Sequence, residues 1–310
     1  MGLMRSVLLA GSQSAWLRER AMRWGFVRRA TKRFMPGEEL EDALGAAELL
    51  RRDGVATILT RLGENVTGLG EAQAVVDHYI QAQERVRAAG IDAEMSVKLT
   101  QLGLDQSAEA CYTHLKRTAD HAATLGRTVW IDMEGSAYTD VTLDLYRRIR
   151  REQPNVGVCV QSYLLRTDSD LDTLVPLGAA IRLVKGAYKE PATIAFQSRR
   201  DVDENYVRLA VRLLGDEARK AGVSAGFGTH DAALIQRIQQ HAAASGVPKN
   251  AFEFEMLYGI RRDAQARLAA GGYRLRVLIS YGEFWFPWYM RRLAERPANV
   301  LFVVKNLFAR

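Results

Sequence analysis

A repeating alternation constrains the fold of this chain more than any other feature. Eight short apolar or β-branched runs recur between residues 54 and 279, separated by stretches with helical hydrophobic spacing. The runs span residues 54–60, 91–99, 128–133, 156–160, 179–184, 223–228, 251–257 and 273–279. The helical stretches span residues 71–89, 107–125, 143–151, 203–221, 232–244 and 261–270. Strand–helix alternation predicts parallel strands with right-handed crossovers, and eight repeats predict a closed α/β barrel of the (βα)8 TIM type.

A doubly wound open sheet is the competing α/β architecture. Such a sheet, when it binds a dinucleotide, normally carries a G-x-G-x-x-G turn after its first strand, and this chain has none. No proline- or serine-rich linker divides the 310 residues, and the 48% hydrophobic content is sufficient for one large core. We therefore predict a helical N-terminal arm over residues 1–36 and one barrel domain over residues 37–310.

The net charge of +7 is concentrated at the N-terminus. Residues 1–36 contain eight basic residues and one acidic residue, whereas the other 274 residues carry 35 charges of each sign. The body therefore has the mixed surface of an ordinary enzyme, and no nucleic-acid partner is predicted. The basic arm, with Trp16, Trp24 and Phe26 among its apolar residues, has two open interpretations. It either packs on the barrel or lies on a membrane surface.

Cysteine content and hydropathy suggest a compartment. Cys111 and Cys159 lack the spacing of a disulfide framework or a zinc knuckle, so we expect a reducing compartment and no metal site. The short apolar run at residues 7–10 is shorter than a signal-peptide core or a membrane span. The expected location is the cytoplasm. The basic arm is compatible with peripheral contact between the protein and the inner face of the cell membrane.

Polar residues follow or end most of the predicted strands. Because active sites of such barrels lie at the carboxyl ends of the strands, these residues are the candidates for chemistry. They are Lys98, Asp132, Glu134, Gln161, Arg182, Lys185, Tyr188, Thr229, His230, Asp231, Glu253 and Glu255. Burying so many ionisable groups is costly unless they pair with one another or with a charged ligand. The pattern therefore indicates a polar ligand with an anionic part.

Several of these residues also have purely structural interpretations. Asp132 could cap the following helix, and Gln161 could satisfy loop backbone groups. The carboxylates Glu134, Glu253 and Glu255 could pack against neighbouring basic side chains. The doublet Arg291-Arg292 could be a solvated surface pair, but it is a further candidate, because adjacent guanidiniums repel unless an anion lies between them. A small carboxylate substrate would supply that anion.

Together these residues resemble a known family. The chain is similar to monofunctional bacterial proline dehydrogenases and to the proline dehydrogenase domain of bifunctional proline utilisation proteins, from about Phe34 to the C-terminus. The motifs are Leu62-Gly63-Glu64, Ser96-Val97-Lys98-Leu99, Ile131-Asp132-Met133-Glu134, Gln161-Ser162-Tyr163, Arg182-Leu183-Val184-Lys185-Gly186-Ala187-Tyr188, Thr229-His230-Asp231, Phe252-Glu253-Phe254, Leu257-Tyr258-Gly259, Tyr289-Met290-Arg291-Arg292-Leu293 and Ala298-Asn299. In this order and spacing they are highly specific.

The resemblance implies a distorted (βα)8 barrel that holds non-covalent FAD. It implies oxidation of L-proline to Δ1-pyrroline-5-carboxylate, with hydride transfer from C5 to flavin N5 and electrons passed to a membrane quinone. This is the first step of proline catabolism to glutamate. A transient contact with a separate pyrroline-5-carboxylate dehydrogenase is compatible with it.

The resemblance also implies roles for individual residues. Lys98, Arg291 and Arg292 correspond to the substrate-carboxylate clamp, and Tyr188 and Leu257 to residues packing on the proline ring. Asp132 corresponds to the acidic residue that supports Lys98, and Arg182 corresponds to the positively charged residue beside the reactive flavin edge. We predict both as catalytic. Glu64 corresponds to a glutamate that pairs with Arg291 to close the site. The implied flavin contacts are Met133, Gln161, Arg182, Val184, Lys185, Gly186, Ala187, Thr229, His230 and Glu295.

One position departs from the family pattern. Leu278 stands where the family commonly has a tyrosine that crowds proline C4, which leaves discrimination against hydroxyproline open.

Two other function classes remain open at this point. A class I aldolase or transaldolase would use Lys98 or Lys185 as a Schiff base, and a nucleic-acid or membrane-binding module would use the basic arm.

Overall fold

The computed structural model describes residues 34–285. Its eight strands are β1 Ala56–Arg61, β2 Ala93–Val97, β3 Val129–Ile131, β4 Val156–Gln161, β5 Ala180–Val184, β6 Ser224–Gly228, β7 Phe252–Leu257 and β8 Arg274–Tyr281. Its α-helices are α1 Leu40–Arg52, α2 Leu69–Ala88, α3 Ala108–Thr124, α4 Thr139–Arg150, α5 Thr167–Leu174, α6 Arg199–Leu214, α7 Asp216–Lys220, α8 Ala232–Ala244 and α9 Arg262–Ala270. Two short 3₁₀ helices span Ser136–Tyr138 and Val175–Leu177. Each predicted apolar run overlaps one of these strands.

The strands form a closed parallel barrel in sequence order, with β8 paired to β1. The predicted TIM-type (βα)8 barrel is therefore confirmed. The predicted arm over residues 1–36 lies outside the described residues except for its last three, and α1 precedes the first strand. Among residues 34–285, no helix combines the length and the apolarity that a membrane span requires.

The helices differ from the prediction in three places. The stretch predicted as one helix over residues 203–221 is two helices, α6 and α7, because the extended backbone at Gly215 interrupts the helical hydrogen bonds. The described residues also include α1 and α5, which the spacing of apolar residues did not single out. The helix α5 has only eight residues, so its pattern is short. The helix α1 is amphipathic, with Leu40, Ala43 and Leu44 among its buried residues, so its apolar spacing was present in the sequence but was not singled out.

Alternation along the strands separates two buried layers. Ile131, Val158, Ile181, Phe227 and Phe254 are fully buried and pack between the barrel and its helices. The residues between them, on the inner face, include several charged side chains. The apolar layer stabilises the fold, since burying each large side chain contributes roughly 1.5–3 kcal/mol, and the inner layer is left for polar groups.

Two glycines on the inner face make room for large neighbours. A Cβ at Gly157 would lie 2.5 Å from the Trp130 ring, and one at Gly226 would lie 2.4 Å from Oε1 of Glu255. Real Cβ contacts of this length essentially do not occur, so any other residue at either position would force its neighbour to move. The barrel interior is thus shaped around one indole and one carboxylate.

A buried ion-pair layer lies on the inner face towards the amino ends of the strands. Nε of Arg276 is 3.3 Å from Glu253 Oε1, and its Nη2 is 3.4 Å from Glu94 Oε1. Arg276 Nη1 also donates to the carbonyl of Thr57 at 3.3 Å. Glu253 therefore behaves as the structural alternative predicted, packing against a basic neighbour.

Candidate active site

Three of the predicted residues meet at the carboxyl end of the barrel. Nζ of Lys98 lies 3.5 Å from Oδ2 of Asp132, and Nη1 of Arg182 donates to Oδ1 of Asp132 at 3.1 Å. Ser96 completes the network, since its hydroxyl donates to Oδ1 of Asp132 at 2.7 Å and accepts from Arg182 at 3.0 Å. Asp132 is not a helix cap, because Gly135 occupies the N-cap of the turn that follows β3. Its carboxylate joins two cations instead.

The charge of Lys98 follows from these neighbours. Burial disfavours its ammonium, but the carboxylates of Asp132 and Glu64 outweigh burial and raise the pKa of Lys98 above its ordinary value. A Schiff-base lysine must present a neutral amine, which this environment opposes. Lys185, the other candidate, forms ion pairs with Asp203 and, at 3.2 Å, with Asp231. The aldolase interpretation is therefore disfavoured at both lysines.

Arg182 is held on several sides. It is 4% exposed, and its guanidinium lies 4.5 Å from the ring centroid of Trp130. Its Nε lies 2.5 Å from Oε2 of Glu255. Its Nη2 is buried and has no hydrogen-bond partner within the described part of the chain. One donor of a fixed, charged group is therefore available for a ligand.

Gln161 presents a second available atom. Its Nε2 donates to the carbonyls of Met133 and Glu134 at 3.1 and 3.2 Å, so the predicted structural role, satisfying loop backbone groups, is observed. Its Oε1 is buried and accepts no hydrogen bond from residues 34–285. The β4–β5 register places Val184 opposite Gln161. Gln161 thus ties one loop and leaves an acceptor unsatisfied.

The loop after β5 carries four predicted site residues, Lys185, Gly186, Ala187 and Tyr188. Gly186 has a φ of 113°, and a Cβ there would lie 2.2 Å from the Tyr163 ring, so this position requires glycine. The three residues around it are half-buried. Glu190 fixes the loop by accepting hydrogen bonds from the backbone N and the hydroxyl of Ser136, at 2.8 and 2.6 Å.

The ends of β6, β7 and β8 supply the remaining described candidates. Thr229 is buried, and its backbone N donates to the carbonyl of Glu255 at 3.1 Å. The backbone N of Leu257 donates to Nε2 of His230 at 3.3 Å, so Nε2 is the unprotonated ring nitrogen. Leu257 lies opposite Leu278 in the β7–β8 register, and both are half-buried. These two leucines form an apolar side of the mouth.

The loop after β1 carries Glu64 and is fastened by a group that the sequence did not reveal. Asn65 has a φ of 53°, and its side chain donates to Asp105 Oδ2 at 2.8 Å and to the Tyr138 hydroxyl at 3.3 Å. The Tyr138 hydroxyl donates to Asp105 Oδ1 at 2.9 Å. These residues come from three separate loops, so no local pattern could have indicated their contact. They hold Glu64 close enough to influence the pKa of Lys98.

Other predicted residues are structural or undescribed. Both carboxylate oxygens of Glu134 accept hydrogen bonds from Thr100, at 3.1 and 2.6 Å. Arg291, Arg292 and Glu295 lie outside the described residues.

Within residues 34–285, no group of three or more His, Cys, Asp or Glu side chains is placed to bind a metal ion. Cys111 and Cys159 are both buried and free.

Comparison with known proteins assigns this site to a family. The family model described as proline dehydrogenase matches residues 43–305. The chain belongs to the proline dehydrogenase family. A proline dehydrogenase of Deinococcus radiodurans is 41% identical over 281 residues, covering 89% of each chain. Proline dehydrogenase 1 of Bacillus subtilis (strain 168) is 37% identical, covering 98% of this chain and 99% of the relative.

More distant relatives contain this fold within longer proteins. The bifunctional protein PutA of Escherichia coli (strain K12) is 26% identical, with 88% of this chain aligned to 24% of that protein. The crystal structure of proline utilization A from Bdellovibrio bacteriovorus, inactivated by N-propargylglycine, superposes with a TM-score of 0.79. That match covers 86% of this chain and 32% of the other at 24% identity, and it supports the proline dehydrogenase barrel fold.

Proposed function

We propose that this protein oxidises L-proline to Δ1-pyrroline-5-carboxylate, with FAD as its cofactor and a membrane quinone as electron acceptor. The observation that carries the proposal is the network of Lys98, Asp132 and Arg182 at the barrel mouth of a proline dehydrogenase family member. Lys98 supplies a cation for an anionic substrate. Arg182 supplies a second cation, close to buried polar atoms that have no hydrogen-bond partner within residues 34–285.

The residues around the mouth are compatible with a flavin. Gln161 Oε1 and Arg182 Nη2 are a buried acceptor and a buried donor that need a ligand, as the polar edge of an isoalloxazine ring could provide. FAD, when bound, would supply the acceptor for the hydride that leaves proline C5. We propose that it is held by Met133, Gln161, Arg182, Val184, Lys185, Gly186, Ala187, Thr229, His230 and Glu295.

Lys98 is proposed to bind the carboxylate of proline. The raised pKa keeps its ammonium charged, and a charged donor forms the stronger type of hydrogen bond to a carboxylate. Arg291 and Arg292 are proposed to complete this clamp, and Glu64 to close over it by pairing with Arg291. Leu257, Leu278 and Tyr188 would pack against the ring, since apolar side chains favour a ring over a polar chain.

Asp132 and Arg182 act together in this scheme. Asp132 holds the charge of Lys98 and shares Ser96 with Arg182, so both cations are oriented before proline binds. Arg182 would place a positive charge where the cofactor gains negative charge on reduction. Asp132 is not assigned as a general base, because proline that binds with its amine deprotonated needs none.

The electron acceptor and the location belong to the same proposal. The eight basic residues of the N-terminal arm suit contact with an anionic membrane surface, where a quinone resides. We propose a cytoplasmic enzyme that touches the inner face of the cell membrane through this arm. Its product would then be available to a pyrroline-5-carboxylate dehydrogenase by transient contact.

A visible absorption spectrum tests the proposal. We expect the purified protein to show the absorption bands of an oxidised flavin and to bleach when proline is added without an electron acceptor. Acetone-precipitated protein should release the flavin, because attachment is expected to be non-covalent. A colourless protein that turns over proline would overturn the cofactor assignment, and a yellow protein that proline does not bleach would overturn the substrate assignment.

Substrate selectivity gives a further prediction at Leu278. This leucine lies opposite Leu257 in the β7–β8 register, at the position where the family resemblance implies a tyrosine that crowds ring carbon C4. We expect Leu278→Tyr to raise the ratio of kcat/KM for proline to that for 4-hydroxyproline by roughly tenfold, since excluding one group from a pocket is worth about 1–3 kcal/mol. Leu49→Tyr, at an exposed position on α1, is the control. An unchanged ratio would remove Leu278 from the substrate site.

A further inference from the structure

Glu255 lies on the inner face of β7, beneath the network that contains Lys98 and Asp132. It is 4% exposed, and its Oε2 is 2.5 Å from Nε of Arg182, which is equally buried. Neither of its oxygens accepts a hydrogen bond from a residue in the range 34–285. The charge of Arg182 is therefore the chief compensation for this carboxylate.

The barrel accommodates this carboxylate at a specific place. Gly226, on the neighbouring strand β6, lacks the Cβ that would lie 2.4 Å from Oε1 of Glu255. Two carboxylates therefore contact Arg182, with Asp132 at Nη1 and Glu255 at Nε. The ring of Trp130 packs against its guanidinium. Nη1 and Nε each lie beside one of these carboxylates, whereas the buried Nη2 has no hydrogen-bond partner among residues 34–285 and is the nitrogen that we assign to a ligand.

We propose that Glu255 is a positioning residue of the reaction, which aims Nη2 of Arg182 at the cofactor and sets how much positive charge Arg182 presents there. This inference rests on the proposed function, in which Arg182 lies beside the flavin. With Glu255 ionised, Arg182 is compensated by two carboxylates, and its net field at the cofactor is weak. With Glu255 neutral, one compensating charge is lost, and the field becomes more positive.

Several groups share the surroundings of Glu255 and contribute to its titration. The charged and titratable groups that face it are Arg182 on β5, Glu253 on β7, Glu94 on β2, Arg276 on β8, Cys159 on β4 and Tyr206 on α6. Asp132, after β3, is linked to it through Arg182. The pKa of Glu255 is raised to about 7, chiefly by burial; Arg182 and Arg276 act to lower it, and Glu253 and Glu94 act to raise it. Its charge therefore changes within the range in which enzymes are assayed.

The test is the midpoint potential of the bound flavin, measured by dye-coupled reduction of the holoprotein between pH 6 and pH 9. We expect Glu255→Gln to retain flavin and to shift the potential to more positive values at pH 9, because a positive field stabilises the reduced cofactor. The shift should shrink as the pH falls through 7, where wild-type Glu255 becomes neutral as well. A role that is only structural would not produce this pH-dependent difference.

Glu253→Gln is the matched control. It removes a buried carboxylate from the same face of the same strand, but one that pairs with Arg276 rather than Arg182. We expect a clearly smaller shift from it. Equal shifts in the two variants, or a yellow Glu255→Gln protein with the wild-type potential at every pH, would overturn the positioning role while leaving the proposed function intact.

The wild-type protein supplies an independent measurement if Glu255→Gln does not fold. As Glu255 becomes neutral, the potential of the wild-type holoprotein should rise more steeply between pH 8 and pH 6 than that of free FAD measured in the same buffers. Absence of that extra slope would contradict the proposal. Protein without any flavin would instead overturn the proposed function, and the positioning role with it.

Discussion

Replacing Asp132 by alanine is expected to reduce kcat/KM for proline by about a hundredfold or more. The substitution removes the carboxylate that lies between the ammonium of Lys98 and the guanidinium of Arg182. Removing one partner of a buried charge pair costs about 3–5 kcal/mol. If about 3 kcal/mol of that cost is expressed while proline is bound, the loss is about two powers of ten, since about 1.4 kcal/mol corresponds to tenfold. Steady-state kinetics with a soluble acceptor dye measure it.

The accompanying variants separate charge from folding. Asp132→Asn keeps the size of the side chain but not its charge, and we expect it to lose most of the same activity. Asp144→Ala removes an exposed carboxylate on α4 that pairs with Arg147, and it should change kcat/KM less than twofold, because surface pairs contribute about 0–1 kcal/mol. An Asp132→Ala enzyme within threefold of wild type, with normal flavin content, would show that the network is not needed for turnover.

The second large effect is expected at the arginine doublet. Arg291→Met and Arg292→Met should each raise KM for proline at least about tenfold, because a hydrogen bond to a charged group contributes roughly 1.5–3 kcal/mol. Flavin content should be retained, since the proposed contact of both residues is with the substrate carboxylate. Titration with proline under saturating acceptor gives KM directly.

Arg85→Met is the matched control for this pair. Arg85 lies on α2 and forms an exposed ion pair with Glu41, so its loss should leave KM unchanged. Near-normal KM values in both doublet variants would remove Arg291 and Arg292 from the substrate site and leave Lys98 as the cation for the carboxylate.

The fold could be predicted largely because barrel strands are buried on both faces. A strand such as β4 must then be almost wholly apolar, which makes it a distinct run in the sequence. Helix boundaries were less accurate. Gly215 divides a continuous helical pattern because the chain turns there, and the polarity of the residues on either side contains no sign of that turn.

The candidate site was predictable to the extent that position along a strand implies position in the barrel. Lys98, Asp132 and Arg182 each end or lie in a predicted strand, so parallel pairing brings them to the same end of the barrel. Ser96 was quoted only within a motif, and its hydroxyl proves to bridge Asp132 and Arg182. A serine inside an apolar run gives no signal of that bridge.

Partner choice among buried charges was decided by the tertiary structure alone. Glu253 and Glu255 are two residues apart on one face of β7, yet one pairs with Arg276 and the other with Arg182. The difference depends on barrel stagger and on the space beside Gly226, neither of which is a local property. The fastening of Asn65 by Asp105 and Tyr138 is similarly non-local, since 40 and 73 residues separate them.

The sequence by itself determined the barrel, the end of the barrel where charged groups gather, and the family to which the motifs point. Periodicity and strand order are encoded by neighbouring residues, so they can be read without coordinates. Only the tertiary structure decided which carboxylate compensates which cation, and which polar atoms are left for a ligand. Those outcomes depend on distances of a few ångströms between residues far apart in the chain, where Coulomb and hydrogen-bond energies change most steeply.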